Sequence, residues 1–219
     1  MKADINKAAT LAMETIIKYG ISTAPVMPLP VFKKIPGVLL MSFAEMSDLT
    51  EIDRSKLVPM FGESQDAATF HVNSDKLKYI VVYNQRLPFY MLQRALAREL
   101  GHIVLGHDGT RPEEVRTAEA YAFAHHLLCP RPLLRAIQDA GIKMTVEVVG
   151  SVTGCYERCM SAIRKEPAAE VPADLNRTVR EQFADYLNNL VAFQPYLSFD
   201  DTSALADFGH YMDFYTEGE

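Results

Sequence analysis

The side chains most able to do chemistry lie in a short stretch, Arg-Glu-Leu-Gly-His, at residues 98–102. It differs by one residue from the pattern H-E-x-x-H. In that pattern, two histidines four residues apart project from one helix face and bind zinc, and the glutamate takes a proton from the metal-bound water. Glu99 and His102 occupy the glutamate and second-histidine positions, whereas Arg98 occupies the first-histidine position. The stretch is therefore a candidate metal centre, with Glu99 as its catalytic base and His102 as a metal ligand.

Arg98 changes what this centre can do. A guanidinium carries five N–H donors and a permanent charge, and it has no lone pair to give to a metal. Arg98 therefore cannot coordinate zinc, and it places a cation where the ion belongs. Without the first ligand there is also no activated water for Glu99 to deprotonate. We expect no cofactor, with zinc bound only if the rest of the site survives.

Two ordered motifs resemble those of the ImmA/IrrE family of metallopeptidase-like proteins, found in phages, mobile elements and bacterial genomes. Residues 98–107, RELGHIVLGH, resemble the family's H-E-L-G-H-I-x-L-G-H core, and residues 119–130, EAYAFAHHLLCP, resemble its E-A-N-x-F-A-x-x-L-L-M-P segment. The resemblance covers residues 1–165. It implies a compact zincin-like α+β fold, a third zinc ligand at Glu119, and either site-specific endopeptidase activity on repressor-like proteins or a regulatory role.

A buried carboxylate at Glu119 would need a cation, so we expect the Arg98 guanidinium to lie against it in place of the metal. Other residues offer little to restore a zinc site. His107 lies five positions beyond His102, about 140° round a continuing helix, so we expect it to face elsewhere and act as a favourable charge at the helix C-terminus. His126 lies two turns beyond Glu119 on the same helix face, which is too far for the two side chains to share one ion easily. Glu99, turned in beside His102 as a carboxylate ligand, remains the alternative.

The elements around this stretch predict an α+β fold. Apolar periodicity, β-rich runs and Gly/Pro stops predict a helix over 3–19, a strand over 37–43, a hairpin of 67–72 with 78–84, helices over 88–106 and 112–128, and shorter helices to 165. Strands are followed by helices only, which indicates α+β rather than alternating α/β. We expect a small sheet packed on the helix that carries Glu99 and His102, followed by a helical C-terminal part.

The charge distribution divides the chain. Its 219 residues suit one domain, or a small domain with an appendage. Residues 166–219 hold eleven Asp/Glu against two Arg, a charge of −9, and residues 1–165 carry the remaining +3 of the total −6. The same final segment holds nine of the 21 Phe/Tyr residues. We predict a metallopeptidase-type domain over 1–165 and an acidic, aromatic-rich helical extension over 166–219.

The remaining signals concern location and partners. Three cysteines, no signal-peptide pattern and no apolar run able to span a bilayer indicate a cytoplasmic protein without membrane attachment. A body charge of +3 does not by itself favour nucleic-acid binding. Residues 145–165 nevertheless have the outline of a helix-turn-helix, which leaves a DNA-binding regulator as one alternative.

The preferred function is protein interaction or regulation on a degenerate zinc-metallopeptidase scaffold, with a repressor-like protein as the partner. The enzyme-class alternative is an active zinc metallo-endopeptidase that cleaves a repressor- or antitoxin-like partner.

Overall fold

A computed structural model describes residues 2–53, 55–56, 66–154 and 169–193. The chain divides into two compact units. The first joins Met1–Asp4 to Met27–Ala124, and the second joins Ile5–Val26 to His125–Glu219. The predicted boundary near residue 165 stays a prediction, and residues 155–168 lie outside the described part of the chain.

The described elements confirm the predicted α+β class. The strands are β1 (Val38–Ser42), β2 (Ala67–His71) and β3 (Tyr79–Tyr83). The helices, numbered in chain order, are α1 (Ile5–Lys18), α2 (Pro28–Phe32), α3 (Phe43–Thr50), α4 (Phe89–Val104), α5 (Glu113–Leu128), α6 (Arg131–Asp139), α7 (Val146–Thr153), α8 (Ala173–Gln182) and α9 (Ala184–Phe193). None of these helices is both long and apolar enough to cross a membrane.

The first unit contains a three-stranded sheet in the order β1-β3-β2. β3 is central, runs parallel to β1 and antiparallel to β2, and pairs Val81 with Leu40 on one side and with Thr69 on the other. β-Branched and aromatic side chains favour a strand here, and Val81 and Val82 are fully buried. The predicted hairpin of β2 and β3 is confirmed.

Helix α4 packs against β2 and β3 and carries the stretch that the sequence singles out. Pro88 precedes its first turn, and Leu96 and Leu100 lie on its fully buried face. Gly101 lies where α4 meets α5: an added Cβ would come within 3.0 Å of Phe123 Cδ1 and within 3.2 Å of its Cβ. Only a residue without a side chain lets the two helices approach this closely.

The end of α4 redirects the chain. Gly106 adopts φ +67°, the left-handed conformation that glycine reaches without a Cβ penalty. Its N–H donates to Ile103 O at 3.1 Å, and the His107 N–H donates to His102 O at 3.0 Å. This Schellman-type ending satisfies carbonyls of the last turn. It also turns the chain back, so that His107 follows a path unrelated to the helix rotation.

The described part of the second unit is helical, and α8 packs against α1 and α6. Val179 and Phe183, at and just beyond the end of α8, are fully buried. Gln182 donates through Nε2 to Ile16 O at 2.8 Å, in the last turn of α1, and to Ile21 O at 2.7 Å, just beyond it. The beginning of the acidic extension thus packs on the chain's own helices.

Replacing Gly101 by Ala tests the close approach of α4 and α5. In an unconstrained helix this exchange stabilises by about 1 kcal/mol. Here the new methyl group would overlap the buried Phe123, so we expect a net loss of about 1–2 kcal/mol in unfolding free energy, measured by urea denaturation. The loss should shrink when the same exchange is made in a Phe123→Leu background. A Gly101→Ala protein as stable as the wild type would contradict this account.

Candidate functional site

A cavity of about 720 Å³ opens in the first unit between β2, α4 and α5. Thr69 of β2, Arg98, Glu99 and His102 of α4, and Tyr121 of α5 all line it. The sheet-packed position of α4 and the closeness of α5 at Gly101 place these side chains together. The cavity therefore holds the three residues that the altered motif predicts as functional.

Arg98 and Glu99 form an ion pair in the cavity wall. Arg98 Nε and Nη2 each lie 3.1 Å from Glu99 Oε1, and the two side chains are only 13% and 5% exposed. Arg98 also donates to Tyr121 OH and to Ala67 O, both at 3.4 Å. Thr69 Oγ1 donates to the second Glu99 oxygen at 2.8 Å. Both carboxylate oxygens of the predicted catalytic base are thus engaged.

The electrostatics of Glu99 follow from this burial. Loss of water raises the pKa of the Glu99 carboxyl, and Arg98 and Thr69 oppose that rise without cancelling it. Arg98 remains a cation: burial works against its charge, but its interactions with Glu99 and Tyr121 together outweigh burial and raise the Arg98 pKa. A guanidinium charge therefore lies permanently at the cavity wall.

Glu119 is held by a different arginine, and the predicted contact between Arg98 and Glu119 is wrong. Glu119 Oε1 accepts from the Asp4 N–H at 2.8 Å. Glu119 Oε2 accepts from Arg111 Nη1 at 2.7 Å and lies 3.0 Å from His107 Nε2. Burial raises the Glu119 pKa, but these partners together outweigh burial and lower it. Arg98 instead pairs with Glu99, its neighbour in the sequence. Arg111, from the loop after α4, supplies the cation for Glu119.

The prediction that His107 faces away as a terminal charge is also wrong. His107 is 3% exposed, and its Nδ1 lies 2.9 Å from His102 Nδ1. The helix does not continue to position 107, because α4 ends at Val104 and Gly106 turns the chain. Burial is the largest influence on the His107 pKa and lowers it, so the ring is neutral near pH 7. The glycine at position 106, a helix-stop signal, was the clue to this path.

The hydrogen bonds assign the protons along Glu119, His107 and His102. A carboxylate can only accept, so His107 Nε2 carries the proton that Glu119 receives. Neutral His107 then accepts at Nδ1, and His102 donates from its own Nδ1. Burial, followed by His107, Arg98 and Arg116, lowers the pKa of His102 to about 4. His102 is therefore neutral, with its lone pair on Nε2.

These residues do not fit a zinc ion of the family type. Such a site needs three protein ligands converging at about 2 Å from the metal. Among the described residues, no group of three or more His, Cys, Asp or Glu is arranged to hold a metal ion. The oxygens of Glu119 already accept from three donors, and those of Glu99 accept from Arg98 and Thr69. In the second unit, the His126 ring packs on His125 at 5.1 Å between centroids.

The first unit combines a three-stranded sheet and helices around the cavity, an α+β arrangement. Residues 57–151 match the peptidase family M78 model, described as the IrrE N-terminal-like domain. This stretch is thus a domain of the ImmA/IrrE family, which confirms the resemblance seen in the two motifs. No curated protein and no solved structure matched the chain.

Removing the Arg98 cation tests the buried ion pair. Arg98→Met leaves Glu99 buried without its charge partner, so we expect a loss of about 2–4 kcal/mol in unfolding free energy at pH 7. Adding Glu99→Gln should recover at least about 1 kcal/mol, because the uncompensated charge is then gone. Arg86→Met, an exposed arginine outside the cavity, serves as the control. Additive losses in the double variant would contradict the pairing.

Proposed function

We propose that this chain is a zinc-free member of its family, and that its cavity binds a segment of a protein partner without cutting it. Arg98 stands at the position where the family motif has its first zinc-binding histidine. The family resemblance implies a repressor-like protein as the partner. In this proposal the chain regulates that protein by holding it.

The observation that carries this proposal is the Arg98–Glu99 ion pair. In the peptidase reaction, the glutamate next to the first histidine must take a proton from a metal-bound water. Here one Glu99 oxygen accepts from a guanidinium and the other accepts from Thr69. The residue at the first-ligand position, Arg98, and the residue at the base position, Glu99, instead form an ion pair with each other.

The cavity itself supports binding of a peptide segment. Its volume of about 720 Å³ lies within the range of ligand-binding sites in proteins. Its lining combines small residues of β2, such as Ala67 and Ala68, with charged and polar side chains. A peptide segment, which offers backbone donors and acceptors along with its side chains, matches such a mixed lining.

An active zinc endopeptidase is the second candidate, favoured by the match to a peptidase family. It would require a different arrangement of Arg98, Glu99 and Glu119 from the one described above. DNA binding through residues 145–165 stays a prediction: α7 covers the first half of that segment, and residues 155–165 lie outside the described part of the chain.

Zinc content separates the first two candidates. We expect the purified full-length chain, dialysed against excess zinc and then against buffer, to retain well below one zinc per chain, measured by atomic absorption. Arg98→His supplies the missing ligand beside His102, and we expect it to retain more zinc than the wild type. Arg98→Met removes the same charge without supplying a ligand, and should retain none.

Activity assays complete the test. The wild type should leave a repressor-like protein uncut under conditions in which the two proteins bind each other. About one tightly held zinc per wild-type chain, together with cleavage abolished by Glu99→Gln, would overturn the proposal in favour of the enzyme.

A further inference from the structure

We infer that the cavity recognises a carboxylate on the bound segment, held between Arg98 and Arg116, while a backbone N–H of the same segment donates to His102 Nε2. The inference rests on the proposed function and specifies its partner as a protein segment with a single acidic group at the binding position. The acidic group is either an Asp or Glu side chain or a free chain terminus.

The first reason is the anchored position of Arg116 in the cavity wall. It lies on α5, lines the cavity and is only partly exposed. Its Nε donates to Arg111 O at 3.0 Å, which anchors the side chain and directs the guanidinium. In the described part of the chain, no carboxylate forms an ion pair with it. An anchored guanidinium that faces a cavity offers two terminal nitrogens, in the fork geometry that matches a carboxylate.

The surroundings of His102 are the second reason. Arg98, Arg116 and His102 all line the same cavity. The cavity therefore offers two guanidiniums and one imidazole to a ligand. A bare anion would bind the arginines but would face the lone pair on His102 Nε2. A peptide segment satisfies both kinds of group, because it carries an acceptor carboxylate and a donor N–H.

The cavity's acidic residues are the third reason. Asp66, Asp108 and Glu113 also line the cavity; Asp66 is half-buried, and Asp108 and Glu113 are exposed. These exposed carboxylates repel a ligand with many negative charges, such as a nucleic acid, and favour basic residues beside the bound carboxylate. The expected segment has one acidic group with lysine or arginine nearby.

Short peptides and NMR titration test this inference on the isotope-labelled full-length chain. The internal-acid probe is acetyl-Lys-Ala-Glu-Ala-Lys-amide, with the Gln-containing peptide as its neutral counterpart. The terminal-acid probe is acetyl-Lys-Ala-Ala with a free carboxyl end, with its amide as counterpart. We expect at least one acidic probe to bind about tenfold more tightly than its counterpart, as a charge-assisted pair provides. Sodium acetate alone should bind more weakly than that probe.

The variant Arg116→Gln should weaken the acidic probe about tenfold and leave its neutral counterpart unchanged. Arg86→Gln removes the same charge from an exposed position outside the cavity and should change neither. Equal binding of acidic and neutral probes, or an equal effect of Arg116→Gln on both, would overturn the inference. So would a single-stranded oligonucleotide that displaces the acidic probe at lower concentration.

The zinc content of the same preparations keeps the two proposals apart. If the chain is free of zinc and the carboxylate preference is absent, only this inference fails. If the chain holds one zinc and cleaves its partner, the proposed function fails, whatever the peptides show.

Discussion

Two carboxylates of the first unit, Glu99 in the cavity wall and Glu119 beside His107, are buried, and each needs a compensating charge. An ionised carboxylate without partners costs several kcal/mol when it is taken from water. Arg98 and Thr69 compensate Glu99, while Arg111, His107 and the Asp4 N–H compensate Glu119. Each carboxylate thus has its own arginine. Arg98 reaches Glu99 from α4 itself, and the loop between α4 and α5 brings His107 and Arg111 to Glu119.

This division of charge explains how a metallopeptidase-like domain can keep its cavity with an arginine in the motif. In the family pattern a zinc ion would carry the positive charge that holds the surrounding carboxylate and imidazoles. Here two guanidiniums carry positive charge at separate points, Arg98 at Glu99 and Arg111 at Glu119. The proposed binding role relies on this division, because no single cation occupies the place of a catalytic metal.

Much of the fold, and the identity of the motif residues, could be predicted from residue types and spacing. The β-branched run at β3 and the turn residues before it predict the hairpin, and Pro88 and Gly106 bracket α4 to within two residues. Local conformational preferences decide such features, so a sequence contains them directly. The family resemblance also came from the sequence, because each motif is a continuous stretch, most of which lies on one helix, so that its spacing needs no tertiary information. The predicted contact between Arg98 and Glu119 was wrong. These residues lie on different helices, and the sequence does not show that the loop between those helices brings Arg111 to Glu119.

The sequence by itself determined that Arg98, with no lone pair to offer, stands where a metal ligand belongs, and that Glu99, His102 and Glu119 accompany it. Only the tertiary structure decided that Arg98 pairs with Glu99 and Arg111 with Glu119. It also decided that His107 turns back to contact His102. The physical reason is the reach of each interaction. Hydrogen bonding within a helix depends on residues three or four apart, whereas ion pairs depend on where the chain goes after it leaves the helix. Gly106 marks where the helix ends, through its left-handed turn, but the residues that the chain meets beyond that turn depend on the packing of α5.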